Sequence, residues 1–167
     1  MTQKRAMRMK DKEITDEREI REILENCHIC RLGFSEENIP YTIPINYGYT
    51  YENGIISTFF HCSWEGRKID IIKKNPVVCF EIDYVIHVEP EEHNGIAVIW
   101  ESLIGTGHIE TINDVREKYL MLGNMMRKFR KYNKHYKPTP LTRERVDGVQ
   151  MLKLVLDEFK AKRLLHS

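Results

Sequence analysis

Asn53-Gly54-Ile55-Ile56-Ser57-Thr58-Phe59-Phe60-His61-Cys62-Ser63-Trp64-Glu65-Gly66-Arg67-Lys68-Ile69-Asp70 holds a turn, a strand and the opening of a helix in one uninterrupted run. Asn53-Gly54 is the dipeptide that a tight hairpin turn demands. From Gly54 to Cys62 the chain reads as a strand, because Thr58, Phe59 and Phe60 suit a pleated, half-buried surface. Ser63 is a good N-cap, and Ile69 and Ile72 then separate from Lys68 and Lys73 at helical spacing, which predicts a helix over Trp64 to Lys74. His61, Ser63, Arg67 and Lys68 would crowd around one helix N-terminus, where unpaired backbone N–H groups favour an anion. Gly66 in the first turn would let a ligand approach the backbone. A phosphate fits that description; the bland alternative is a surface helix whose Arg67 and Lys68 are solvated.

Upstream, Asp16 and Glu19 form a capping pair, and Ile20, Ile23, Leu24 and Cys27 recur at helical spacing, which predicts a helix of about three turns. Elsewhere the period is that of strands: Ile29 to Ser35, Tyr41 to Tyr51, Val77 to Val88, Ile96 to Glu110 and Val149 to Asp157 join Gly54 to Cys62 as six strands. Asn94-Gly95 is a second hairpin signal. A longer helix follows over Asp114 to Arg130, with Leu120, Gly123, Met126 and Arg130 on a mixed face, and Lys131 to Arg145 reads as a basic, proline-bearing loop. Hairpin connections and few crossover helices argue against a doubly wound parallel sheet and for a mainly β fold, a small barrel or sandwich. Six strands in so short a chain suit a barrel that closes its own edges.

The 167 residues suffice for one domain, expected over residues 15–167, with residues 1–14 as a polar N-terminal arm or a strap on a partner subunit. Lysine plus arginine (26) almost balances aspartate plus glutamate (25), and the net charge of +1 gives no general pull toward nucleic acid or anionic membrane. No apolar run approaches the ~18 residues of a membrane span. Met1 to Lys10 is basic without an apolar stretch, unlike a secretory signal, so a cytoplasmic protein is expected. There the four cysteines should be reduced thiols. Cys27-His28-Ile29-Cys30 follows a helix, at the end whose dipole disfavours a thiolate, and Cys62 and Cys79 do not supply a second pair at metal-ligand spacing. No metal site is expected.

Read together, Pro40-Tyr41-Thr42-Ile43-Pro44-Ile45-Asn46-Tyr47-Gly48-Tyr49, the His61 to Lys68 segment, Asn75-Pro76-Val77-Val78-Cys79-Phe80-Glu81-Ile82-Asp83 and Ser102-Leu103-Ile104-Gly105-Thr106-Gly107 resemble the FMN-binding split barrels related to pyridoxamine phosphate oxidase, and within them the nitroimidazole-resistance (Nim) branch. The resemblance runs from about Asp11 to Glu110. It implies a six-stranded antiparallel split β-barrel with peripheral α-helices, and a homodimer with an FMN in each interface cleft. It also implies site residues. His61, Ser63, Arg67 and Lys68 would hold the phosphate, with Gly66 permitting the approach; Pro44, Ile45 and Asn46 would offer main-chain hydrogen bonds to the isoalloxazine edge. Trp100 and Ser102 would come from the strand lining the cleft. Cys62 stands where such proteins commonly have serine, so a hydroxyl contact is lost or passes to Ser63.

A flavin needs an apolar slot and a basic tail site, and Tyr47, Tyr49, Phe60, Trp64 and Trp100 are candidates for the slot, with plain core packing as the alternative. His61 has two readings: a phosphate or ribityl ligand, the preferred one, and a catalytic proton donor. The expected function is an FMN-dependent oxidoreductase that takes hydride from NADH or NADPH and reduces a small electron-poor substrate such as a nitroimidazole or nitroaromatic. The alternative is a flavin- or haem-binding carrier or sensor without turnover, with His87, His93 and His108 as axial candidates by residue type alone. Nucleic-acid binding through Arg127, Lys128, Arg130, Lys131, Lys134 and Lys137, interleaved with Phe129, Tyr132 and Tyr136, competes with a helix end whose cations complement the dipole, and is not expected of a near-neutral chain.

Overall fold

Eight antiparallel strands make one sheet, and the two strands at its ends are neighbours in sequence. The computed structural model describes residues 6–91, 95–130, 135, 137 and 139–164. The order is β1 (Glu13–Ile14), α1 (Glu17–Asn26), β2 (Ile29–Glu36), β3 (Ile39–Asn46), β4 (Gly48–Glu52), β5 (Ile55–Cys62), α2 (Arg67–Lys74), β6 (Val77–Glu91), β7 (Gly95–Ile112), α3 (Val115–Arg130), α4 (Arg143–Asp147) and β8 (Gln150–Leu164). Along the sheet the strands run β3-β2-β6-β7-β8-β5-β4, and β1 adds to β8. Because β3 passes into β4 through Tyr47 alone, the sheet must curl until its two edges meet at that corner. The result is a split barrel.

The single strand expected over Tyr41 to Tyr51 is therefore two strands, and six become eight with the short β1. Tyr41, Ile43, Ile45, Tyr47, Tyr49 and Tyr51 all turn inward, so the alternation of two continues through the corner and the sequence pattern hides the break. Tyr47 is fully buried; its hydroxyl donates to the Leu24 carbonyl at 2.8 Å, and its ring meets Phe80 edge-on. Tyr47 is thus core, as is Phe60, and neither forms part of an open slot.

Two cores share β5. Phe60 faces the barrel interior with Leu32, Ile56, Phe80 and Leu103, while Phe59, one residue away and on the other face, packs under α3 with Met121, Leu122, Met125, Val146 and Met151. The buried stripe of α3 runs through Lys118, Met121, Leu122, Met125 and Lys128; Leu120 is exposed. Lys128 lies buried over the Tyr47 ring and is in no position to reach a nucleic-acid strand. Of the other residues in that reading, Lys131, Tyr132, Lys134 and Tyr136 lie outside the described residues, as do His93 and Asn94. Within the expected loop, Thr142 caps the short α4 by accepting the Arg145 N–H.

α3 is also pinned by one side chain. Asn124 accepts the Tyr49 N–H through Oδ1 at 3.0 Å and donates Nδ2 to the Tyr49 carbonyl at 2.9 Å, so it pairs the free edge of β4 as a strand would. α1 is held by Glu101, which is almost fully buried and accepts hydrogen bonds from Tyr84 and Arg163; Arg163 reaches on to Glu19 at 2.8 Å.

All four cysteines are free thiols, and Cys27 and Cys30 are buried in the main core. Burial pushes the Cys27 thiol up to about 12 from 9.0, against a partial opposing pull from Lys128, and raises Cys30 as well. A thiol whose folded pKa is raised keeps its proton when the unfolded chain has lost it. Stability is therefore undiminished below pH ~9 and falls as pH rises from there toward 12, by up to about 1.4 kcal/mol per pH unit for each thiol. Urea unfolding across the alkaline range checks this: Cys27→Ala should lower stability at neutral pH but flatten its alkaline decline. An unchanged alkaline slope in the variant would contradict the assignment.

Candidate functional site

Among the described residues β3 is an edge strand bonded to β2 alone, so the N–H and C=O groups along its other side have no strand partner there. Alternation turns Tyr41, Ile43 and Ile45 toward the core and leaves Thr42, Pro44 and Asn46 exposed. Of the residues expected on a ligand, Pro44 and Asn46 thus present side chains outward, whereas Ile45 packs on the core and its carbonyl accepts the Cys30 thiol at 3.4 Å.

At its Asn46 end β3 comes to the same pocket as His61 of β5. Asn46 and His61 line this pocket of about 370 Å³, roofed by Met126 and Arg130 of α3 and closed by Arg145 of α4. His61 shares the outward face of β5 with Phe59, while Phe60 and Cys62 share the inward face. This corrects the slot reading of Phe60 and turns the half-buried Cys62 side chain to the face opposite His61. Phe60 is fully buried and has only main chain to give a cleft ligand, and Cys62 packs against the barrel core, its thiol pushed up by burial with Lys68 partly opposing.

Ser63 to Gly66 then carry the chain from the His61 end of the cleft to the β2–β3 turn. Trp64 is exposed, with the Lys118 ammonium 4.9 Å from its ring centre. The N-cap of α2 is Gly66, not Ser63, and no side chain caps the helix. Gly66 has φ +122°, a conformation that L side chains rarely adopt, and a Cβ built on it would meet nothing within 4 Å. So glycine is required by the backbone, and the space beside the first-turn N–H groups is open.

Arg67, the first residue of α2, lies with its guanidinium 4.3 Å from the centre of the Tyr41 ring, and Nε is 3.3 Å from Oε2 of Glu36. Lys74 approaches the other Glu36 oxygen at 3.8 Å. Glu36 was not legible as a site residue, because only the fold brings the β2–β3 turn to the start of α2. The structure thus places Asn46 and His61 at one end of the β3 edge and Arg67 at the other. Five residues of strand, about 17 Å, separate Tyr41 from Asn46. His61 does not share its pocket with Ser63, Arg67 or Lys68.

Trp100 and Ser102 lie on β7, far along the sheet from β3. Trp100 carries the Lys162 ammonium 4.5 Å from its ring centre, and Ser102 lines a separate, wide groove with Ile104, Lys160 and Lys162. Within one chain they are not brought to His61. His108 Nδ1 sits 2.8 Å from Asp157, His87 Nε2 sits 3.5 Å from Glu89, and neither lines the His61 pocket. Among the described residues no cluster of His, Cys, Asp and Glu could hold a metal ion, and no helix is long and apolar enough to cross a membrane.

A family model described as pyridoxamine 5'-phosphate oxidase matches residues 16–163. Among solved structures, a candidate 5-nitroimidazole antibiotic resistance protein from Bacteroides thetaiotaomicron is 28% identical, with a TM-score of 0.75, over 90% of this chain and 86% of that one. The flavocytochrome Anf3 from Azotobacter vinelandii shares the fold at 15% identity and a TM-score of 0.72, over 96% of this chain and 73% of its own. An FAD and haem binding protein from Mycobacterium smegmatis does so at 15% and 0.69, over 90% and 72%. No curated protein matches the sequence.

Proposed function

The chain belongs to the pyridoxamine 5'-phosphate oxidase family, and from that premise we propose that it is a cytoplasmic, homodimeric flavin-binding oxidoreductase, with FMN as the preferred flavin. One observation carries the reading: an unpaired strand edge about 17 Å long has an uncapped helix N-terminus with Arg67 at one end and a pocket at the other. The residues fit the group. Main-chain groups on the outer side of β3 between Pro44 and Asn46, with Pro44 giving a carbonyl only, would match the polar edge of an isoalloxazine. Arg67, Lys68, Ser63 and the first-turn N–H groups of α2 match a phosphate, and Gly66 leaves that space open.

When bound, the flavin supplies the redox reactivity. The chain's own contribution is position and proton handling. β3 orients the ring, α2 anchors the tail, and α3 screens the ring end from water. His61, beside Asn46, would stand at the ring end, where an imidazole nitrogen can hold or deliver a proton to a reduced substrate. The donor would be NADH or NADPH and the substrate a small electron-poor molecule; the likeness to the nitroimidazole resistance protein favours a nitroaromatic.

Trp100 and Ser102 would complete the cleft from a partner subunit, because in one chain Ser102 lines a different groove and the Trp100 ring carries Lys162. The exposed Val85, Val88, Ile96 and Val98 of the β6–β7 hairpin give such a partner an apolar surface. Residues 15–167 would form the flavin domain and 1–14 the arm. An absorbance spectrum of the purified protein tests the reading. Flavin bands near about 370 and 450 nm are expected, with FMN rather than FAD released on denaturation and a dimer by light scattering. A Soret band without flavin would replace this reading by a haem carrier.

A further inference from the structure

The charge at the ring end of the cleft is one-sided. Its walls are apolar, with Leu122, Met125, Met126 and Phe129 of α3 foremost, and among the described residues that line it the charged side chains are Arg130 and Arg145, with no carboxylate. Both arginines are exposed at the mouth, and neither has a carboxylate within 4 Å among the described residues. This is unlike Arg67, which Glu36 engages, and unlike Arg143, whose Nε is 2.6 Å from Asp147. A guanidinium presents a planar fork that matches a carboxylate, and thioethers and a phenyl ring suit a flat aromatic body. A volume of about 370 Å³ is at the lower end of small-ligand pockets.

We propose that this pocket is the substrate subsite and that it selects small aromatic carboxylates, with Arg130 and Arg145 binding the carboxylate and the α3 side chains covering the ring. The inference rests on the flavin reading only for the source of electrons; binding in the pocket does not require the flavin. Selection follows from charge: a neutral amide of the same shape fills the same walls but forms no charge-assisted pair with the two guanidinium groups.

Calorimetric titration of the purified protein with 4-nitrobenzoate and 4-nitrobenzamide tests it. The benzoate should bind at least about tenfold more tightly, and Arg130→Ala and Arg145→Ala should each remove about tenfold of that preference while leaving the amide unchanged. FMN affinity should stay within about twofold in both variants, since Arg67 lies at the opposite end of β3. Equal binding of the two probes, or parallel loss of both in the variants, would overturn the proposal. So would a loss of FMN affinity in these variants, which would place the flavin phosphate at Arg130 and Arg145. If the wild-type protein binds no flavin, the flavin reading fails while the same titration still decides the pocket.

Discussion

Gly107→Ala should leave the chain unable to hold its central sheet. A Cβ at Gly107 would stand 2.0 Å from the Val155 carbonyl oxygen and 2.8 Å from the Leu156 Cα, both main-chain atoms of β8. These strands meet at a register shift between Thr106 and Gly107, which leaves no room for a side chain at Gly107. Flexible side chains can move aside, but the β7–β8 ladder cannot do so without breaking its hydrogen bonds. A loss of at least about 3 kcal/mol is expected, beyond the ordinary cost of overpacking and a large share of a domain's stability. Gly123→Ala is the matched comparison. Nothing lies within 4 Å of its added methyl group in α3, so helix propensity should raise stability by about 0.5–1 kcal/mol. Urea midpoints for the two variants check both signs, and a loss below about 1 kcal/mol at Gly107 would contradict the close approach.

Arg67→Ala should weaken FMN by about 1.5–3 kcal/mol, or roughly 10- to 150-fold, the range of a charge-assisted hydrogen bond to phosphate. Riboflavin has no phosphate and should lose almost nothing. Glu36 supplies a test of opposite sign. It shares the Arg67 guanidinium and puts a negative charge beside the proposed phosphate position, so Glu36→Gln should tighten FMN while leaving riboflavin unchanged. Fluorescence titration of the two variants decides this. Equal losses of both ligands in Arg67→Ala would move Arg67 away from the phosphate.

The parts of the fold that repeat along the chain were legible in the sequence. Ile20, Ile23 and Leu24 are the buried face of α1, and Asp16 caps it as its spacing implies, accepting the Arg18 and Glu19 N–H groups. Strand periodicity located β2, β5, β6, β7 and β8, although β6, β7 and β8 run further than their apolar stretches because hydrogen-bonded pairing continues through polar residues. What depends on backbone direction was not legible. The corner at Tyr47 preserves the inward alternation, and the cap at Gly66 rests on a positive φ where Ser63 had the better side chain.

The site divides in the same way. Asn46, His61 and Arg67 could be named from residue type and resemblance, but their arrangement could not. His61 follows Phe60 in sequence, yet the pleat points them to opposite faces. Glu36 and Arg145 carried no local signal, and they and Arg130 come to the cleft only through the docking of α2, α3 and α4. The basic stretch that included Arg130 was visible as charge alone. Its division into a buried Lys128 and an exposed Arg130 follows from which face of α3 packs on the sheet, where Asn124 bonds the Tyr49 main chain.

The most direct test of the proposed flavin cleft is a fluorescence titration of flavin-free wild-type protein with FMN and riboflavin in parallel. FMN should be quenched at one molecule per chain and bind at least about tenfold more tightly than riboflavin, the phosphate's share of the affinity at the start of α2. No quenching, or equal affinities for the two flavins, would contradict it.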